Sequence, residues 1–329
     1  MNTYGKNLKI TLLGGSHAPS ISVEIDGYPK GIKVLQTDFT EMLMRRKPSK
    51  TGTTARVEDD IPIFISGIEN NYSTGSKIII KFENKNIRSK DYYKFKNIPR
   101  PGHVDFVALK KFGKDYNLSG GGIFSGRMTV AIVAAGVLAM KLIPSIKFSA
   151  KILTVGGCND IENTVKKVVA KGDSVGGIVE CIISNVPIGL GEPFFYSIES
   201  HISHLAFSIP GIKGIEFGSG FASTAMLGSK HNDSIINISG KTETNHSGGI
   251  NGGISNGNDI IFRVAVKPPS SISKTQKTIN LQTKKIEDLT IKGRHDACIA
   301  LRLPPIIEAL AAIALADFWL EKGHSDLPV

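Results

Sequence analysis

"IIEALAAIALADFWL", residues 306–320, is the stretch whose reading decides the fold. Its apolar residues cover most faces of a helix rather than one stripe, and such a helix is buried on both sides. It follows a Pro-Pro pair and stops before Gly323, as helices start and stop. A second run, "VAIVAAGVLAM" at 130–140, is also uniformly apolar, and it is too short to cross a bilayer. Period-two alternation marks strands at 8–14, 20–27, 77–83, 176–186 and 259–267. Further helical patterns fall near 37–46, 104–112, 159–171 and 196–207. Strands and helices do not alternate strictly, so a doubly wound parallel sheet is not expected. The reading is an α+β fold, a β-α-β sandwich in which two antiparallel sheets enclose central helices. No linker interrupts the chain, so residues 1–329 read as a single domain. A weak likeness between "VEIDGYPKGI" (23–32) and "VECIISNVPIGL" (179–190) hints at two similar halves sharing one core.

Composition narrows the class. The chain has 329 residues, 41% hydrophobic and 21% charged, which suits a folded soluble protein. The N-terminus lacks the apolar core of a secretory signal. Three scattered cysteines, Cys158, Cys181 and Cys298, match neither a disulfide framework nor metal spacing, so a reducing cytoplasm is expected. The net charge of +11 fits either nucleic acid or small phosphorylated and carboxylated ligands. The lysines are diffuse, whereas the arginines are few and some, Arg127 and Arg294 among them, stand next to glycine or histidine. That pattern favours small anions, because a guanidinium offers a fixed fork of donors.

Several loops carry chemistry. "SGGGIFSGRMT" (119–129) opens onto a helix, where backbone N–H groups hold anions, but it is neither a P-loop nor a dinucleotide fingerprint. "NHSGGINGGISNG" (245–257) exposes bare backbone before a strand, and "KPPSS" (267–271) offers a cation and two hydroxyls. "RPGHVD", "MRRKP", "GGSHA" and "GRHDACIALR" each place arginine or histidine at a turn or an element end. "HISH" (201–204) has metal-like spacing but no third ligand, so an ordinary helix surface is expected. Each loop alone fits a purely structural role. Together they point to one anionic, ring-shaped ligand.

The same stretches carry a family likeness. "GGSHAPSISVEIDGYPKGI", "MRRKP", "RSKDY", "RPGHVDF", "GGGIFSGRMT", "VPIGLGEPFF", "SIPGIKGIEFGSGF", "NHSGGINGGISNG", "RVAVKPPSSI" and "GRHDACIALRLPPIIEA" resemble, in order and spacing, the chorismate synthase family, in a form similar to its clostridial subgroup. The resemblance covers nearly the whole chain. It implies loss of phosphate and a ring proton from 5-enolpyruvylshikimate 3-phosphate, an anti-1,4-elimination that gives chorismate in aromatic amino acid biosynthesis. It also implies reduced FMN, a homotetramer, and neither nucleic acid nor membrane as partner. The flavin is expected to be reduced from outside, by an external reductant or an NADPH-dependent flavin reductase.

By resemblance, His17 protonates the departing phosphate, His103 protonates reduced flavin and Asp296 assists removal of the ring proton. Arg45, Arg46, Arg100, Arg127 and Arg294 hold the substrate, with Arg302 a weaker candidate. Ile123, Phe124, Ser125, Gly252, Lys267, Pro268, Pro269, Ser270, Ser271 and Arg294 line the flavin. His295 is expected to orient its neighbours. Some positions depart from the family pattern: Gly15, Ala18, Ser49, Ile123, Pro269 and Ala297, and an arginine looks to be missing from "SKTGTTAR". These departures leave a second reading open, a catalytically impaired relative that binds flavin and substrate.

Overall fold

The computed structural model describes residues 2–48, 51–113, 116–291, 293 and 295–321. It is mixed helix and sheet. The first sheet runs in the order β1 (Thr3–Tyr4), β2 (Lys9–Gly14), β3 (Ser20–Asp26), β7 (Ile78–Glu83) and β4 (Ile63–Ser66), all antiparallel. The second runs β10 (Ile212–Phe217), β13 (Ile260–Val266), β9 (Gly177–Ser184) and β8 (Lys147–Val155), also antiparallel. Three short ribbons, β5 (Ile68–Glu69) with β6 (Tyr72–Ser73), β11 (Ile250–Asn251) with β12 (Ile254–Ser255), and β14 (Gln276–Ile279) with β15 (Ile286–Leu289), decorate them. The helices are α1 (Thr40–Arg46), α2 (Asp105–Phe112), α3 (Thr129–Leu142), α4 (Ile161–Ala170), α5 (Ile198–Ser208), α6 (Gly228–His231) and α7 (Pro304–Glu321).

Alternation places one face of each sheet in the core. On β3 and β7 the pairs Ile21–Phe82, Val23–Ile80 and Ile25–Ile78 are cross-strand partners and all six side chains are buried. On β9 and β13 the pairs Val179–Val264, Cys181–Phe262 and Ile183–Ile260 do the same. Helix α3 packs on β3 and β7, α7 packs on β8 and β9, and the two helices pack on each other. One continuous apolar core therefore runs from Leu8 through both helices to Phe318. The strand patterns at 8–14, 20–27, 77–83, 176–186 and 259–267 and the six helical patterns all correspond to elements. Strands β8 and β10 were not legible. On β8, Lys147, Ser149 and Lys151 alternate with side chains that are only half buried, so the apolar signal is diluted.

Two carboxylates interrupt the apolar surface of α7, and both are buried and satisfied. Glu308 accepts the N–H of Ala150 on β8 at 2.8 Å and a two-pronged grip from Arg45 on α1, both prongs 2.7 Å. Asp317 accepts the N–H groups of Lys6, Asn7 and Leu8, the closest at 2.7 Å, and so ties the far end of α7 to the turn between β1 and β2. A buried charge is tolerated only with such partners.

The crossing of α3 and α7 is at Gly136. A Cβ added there would stand 2.3 Å from the Cβ of Ala309 and 2.5 Å from its Cα. Gly136→Ala would gain up to about 1 kcal/mol of helix propensity, but it must push the helices apart, which costs about 1–3 kcal/mol. The expected result is a lower urea midpoint with unchanged m-value. An equal or higher midpoint would contradict close packing at this crossing.

Candidate functional site

A cavity of about 640 Å³ opens where both central helices begin. Its wall includes Arg127 and Thr129 at the start of α3, and Arg302, Leu303 and Ile306 at the start of α7. Both helix dipoles therefore present their positive ends to it, which favours an anionic occupant. The lining cations are Arg46, Arg56, Arg100, Arg127, Arg302, Lys213 and Lys267, against the carboxylates Glu58, Asp60 and Asp296. The excess of cations persists after every ion pair is made, so the cavity attracts polyanions. Ile123, Phe124, Phe207, Ile209, Ile299 and Leu303 add apolar wall.

Buried carboxylates aim the arginines. Asp60 adopts a left-handed backbone (φ 55°) and receives both Arg46 and Arg127 in close ion pairs. Burial alone would raise its pKa, but the two guanidiniums hold it below the ordinary value. Burial pulls Arg46 down to about 10, which leaves it cationic at neutral pH. Arg127 donates Nε–H to Asn84 at 3.1 Å, and Asn84 in turn donates to the carbonyls of Gly15 and Ala18. Arg46 Nε and Arg127 Nη2 lie buried with no protein partner among the described residues.

Arg56 is gripped by Glu58, at 3.0 Å from Nε and 2.7 Å from Nη2, and reaches Ser16 through Nη1 (Oγ) and Nη2 (backbone oxygen), both at 3.0 Å. Arg56, the last residue of the stretch "SKTGTTAR", lines the cavity and was not singled out from sequence. An alternating charge pattern, Arg56-Val57-Glu58, was its only sequence signal.

The turn before α2 forms a second cluster. Asp105 accepts Arg100 Nε–H at 2.7 Å, Nη2–H at 2.8 Å and the backbone N–H of Arg100 at 3.1 Å, and it also lies 2.7 Å from the Nδ1 of His103. Burial would raise Asp105, but hydrogen bonds from Arg100 and His103 hold it well below the carboxylate range. Burial lowers His103 and outweighs the pull of Asp105, so the ring is neutral near pH 7. Arg100 Nη1 donates to Ser271 Oγ at 3.1 Å, and Lys267 Nζ and Ser270 Oγ bond the carbonyl of Gly102 at 2.7 and 2.6 Å. The 267–271 loop is therefore pinned onto the 100–103 turn.

Asp296 accepts the N–H of Thr54 at 2.9 Å and faces Arg302 Nη1 at 3.5 Å. Arg302 also donates Nε–H to the carbonyl of Arg46 at 3.0 Å. His295 lines the cavity as well, and burial lowers its pKa.

The glycine loop Ser119–Phe124 closes one side. Gly120, Gly121 and Gly122 all have positive φ, and a Cβ on Gly120 would lie 2.5 Å from His17 Cδ2 and 2.8 Å from Ser16 Oγ. The bare backbone lets the two loops touch.

Of the residues singled out from sequence, the cavity brings together Arg46, Arg100, His103, Ile123, Phe124, Ser125, Arg127, Lys267, Pro269, Ser270, Ser271, Asp296 and Arg302. His17 stands just behind the wall, edge-on to Tyr92 at 5.1 Å between ring centres. Arg45 is engaged by Glu308 and is not among the residues that line the cavity. Gly252, in the turn between β11 and β12, and the exposed Pro268 do not line it either. Arg294 and Ser49 lie outside the described residues.

The family model for chorismate synthase matches residues 8–320. A chorismate synthase from Chitinophaga pinensis is 53% identical, with 99% of this chain and 98% of the relative aligned. One from Christiangramia forsetii is 40% identical over 99% of each. The chain belongs to the chorismate synthase family. A solved structure described as a chorismate synthase crystal structure superposes with a TM-score of 0.76 at 23% identity, over 98% of this chain and 95% of that one, and so shares the fold. Members of the family are carbon–oxygen lyases of the shikimate pathway, and the impaired-relative reading is not favoured by this degree of identity.

The shifted groups set an acid limit on stability. His103 and His295 have lowered values, so the fold favours their neutral forms; that contribution is complete above about pH 6.5 and is lost as pH falls. Asp60 and Asp105 are also lowered, and their contribution is complete above about pH 4 and lost below it. The denaturation midpoint is expected to be flat above pH 7 and to fall in two stages on acidification. A midpoint that rises between pH 7 and 4 would contradict these assignments. Asp60→Ala, which strands two guanidiniums, is expected to cost about 3–5 kcal/mol, read from the same denaturation curves at pH 7.

Proposed function

We propose that this cavity converts 5-enolpyruvylshikimate 3-phosphate to chorismate and phosphate with the help of reduced FMN. The single observation that carries the reading is the convergence of His103, Asp296 and the cationic set on one cavity at two helix N-termini. The substrate has two carboxylates and a phosphate, and Arg46, Arg100, Arg127 and Arg294 are the groups to hold them, joined by Arg56 and Arg302. N–H groups of Arg46 and Arg127 with no partner among the described residues support a donor set built for anions rather than for the protein itself.

The residues also fit the flavin. A flat apolar wall at Ile123 and Phe124 suits a ring, and Ser125, Lys267, Ser270 and Ser271 suit polar edges and a phosphate. When bound, reduced FMN would lend electron density to the substrate as its C–O bond to phosphate breaks and would regain it from the substrate, with no net redox change. The chain's own groups manage protons. His17 gives one to the leaving phosphate. His103 holds one near the flavin. Asp296, anchored through Oδ1 by the N–H of Thr54, takes the ring proton. Thr54 and Arg302 orient that carboxylate.

The remaining parts of the reading concern the molecule as a whole. Residues 1–329 act as one domain, with the two sheets enclosing α3 and α7 as a sandwich. The assembly is a homotetramer, supported by the strongly exposed Phe194, Phe195, Phe221, Leu227 and Ile238. The setting is cytoplasmic, which suits three free cysteines, and a separate reductant supplies reduced flavin. No described helix is long and apolar enough to cross a membrane.

The test is anaerobic phosphate release from 5-enolpyruvylshikimate 3-phosphate with dithionite-reduced FMN. Wild type should release phosphate and form chorismate. Asp296→Asn should lose at least roughly 100-fold in kcat while still binding FMN. No release by wild type, or wild-type turnover by the variant, overturns the assignment. Turnover in air with NADPH alone would overturn the separate reductant.

A further inference from the structure

The surroundings of His103 decide which of its nitrogens carries a proton. Asp105 is the first residue of α2, and its side chain folds back onto the turn that precedes it. It is 1% exposed. Its Oδ2 accepts the backbone N–H of Arg100 at 3.1 Å and Nε–H at 2.7 Å; its Oδ1 accepts Nη2–H at 2.8 Å and lies 2.7 Å from His103 Nδ1. A carboxylate offers about four acceptor sites, and all four are taken. It has no proton to give. The hydrogen on the Asp105–His103 contact therefore belongs to Nδ1, and the 3.0 Å approach of Arg100 Nη2 to the same nitrogen is a contact between two donors, not a bond. The side-chain contacts of His103 with described residues run through Nδ1, and His103 lines the cavity.

We infer that Asp105 is a positioning residue: by accepting the Nδ1–H of His103 it fixes the tautomer whose Nε2 lone pair serves the cavity. This rests on the reading of His103 as the site's proton carrier. Nε2 takes a proton from solvent, the ring becomes an imidazolium, and Nε2 then passes that proton to the group it serves in the cavity, which leaves the ring neutral as it began. The charges around the ring are Arg100, Asp105 and Lys267. Arg100 and Lys267 oppose the imidazolium and Asp105 favours it. Arg100 also shares the carboxylate, so Asp105 is itself fixed. Its guanidinium lies over Phe95 at 4.5 Å, which prevents the cluster from swinging into solvent. In a free histidine the proton prefers Nε2, so the arrangement reverses the default.

Two measurements test this, both on the full chain. The first is nitrogen-15 spectroscopy of histidine-labelled wild-type protein at neutral pH. The His103 signals, assigned by their loss in His103→Gln, should show hydrogen on Nδ1 and a lone pair on Nε2. Hydrogen on Nε2 overturns the inference whether or not any variant folds. The second is the pH profile of kcat and KM for Asp105→Asn, with reduced FMN and 5-enolpyruvylshikimate 3-phosphate under anaerobic conditions. Asp105→Asn should lower kcat by at least roughly 100-fold, leave KM nearly unchanged and shift the acid limb of the profile downward. Asp105→Glu should recover part of the rate. Wild-type kcat in Asp105→Asn, or an equal loss in kcat/KM carried by KM alone, overturns the positioning role. If His103→Gln itself turns over normally, the proton-carrier reading fails instead, and the tautomer measurement still decides the role of Asp105.

Discussion

The contact between α3 and α7 at Gly136 and Ala309 governs the rest of the molecule. Each helix is covered by a different sheet, so the distance between the helices sets the distance between the sheets. It also sets the width of the cavity, because both helices start there. A glycine at the crossing lets the backbones approach until side chains from both sheets share one core. The polar anchors on α7 then fix its height: Glu308 against β8 and α1, Asp317 against the N-terminal turn. Apolar packing supplies the attraction, and these two carboxylates supply the register.

The site follows the same division of labour. Its arginines are long and flexible, and a flexible guanidinium loses entropy when it holds an anion. Here each is oriented by a buried carboxylate or amide before any ligand arrives: Asp60 for Arg46 and Arg127, Glu58 for Arg56, Asp105 for Arg100. The acidic residues of the site are thus as much a part of anion recognition as the basic ones. They remove the conformational search without cancelling the excess positive potential.

That pairing accounts for what the sequence could and could not disclose. The two central helices were legible because a long run that is apolar on most faces fits little besides a helix covered on both sides. Strands β3, β7, β9 and β13 were legible because one face of each is fully buried, whereas β8 and β10 were hidden by half-buried faces. Among site residues, glycine and histidine turns such as 100–103 and 119–127 stood out locally. Arg45 and Arg46 could not be separated by sequence, since neighbours on a helix point about 100° apart and only the burial of Glu308 decides which one faces away from the cavity. Asp60, Glu58 and Asp105 carry no local signal as arginine holders, because their partners are recognised only once the chain is folded. The Asp60–Arg127 pair spans 67 positions.

The anchors on α7 also bear on how the chain is made. Asp317 holds the N-terminal turn across 309 to 311 positions, Thr54 meets Asp296 across 242, and Arg302 meets Arg46 across 256. During synthesis the first strands therefore leave the ribosome long before the helix that completes their core. Until then, the apolar face of β8 and β9 lacks the helix that packs on it, and the last stretch of the chain acts as the closing element. Such long-range closure is slow, and an exposed sheet face is what chaperones bind. Loss of the final helix would leave a half-covered sheet rather than a smaller enzyme.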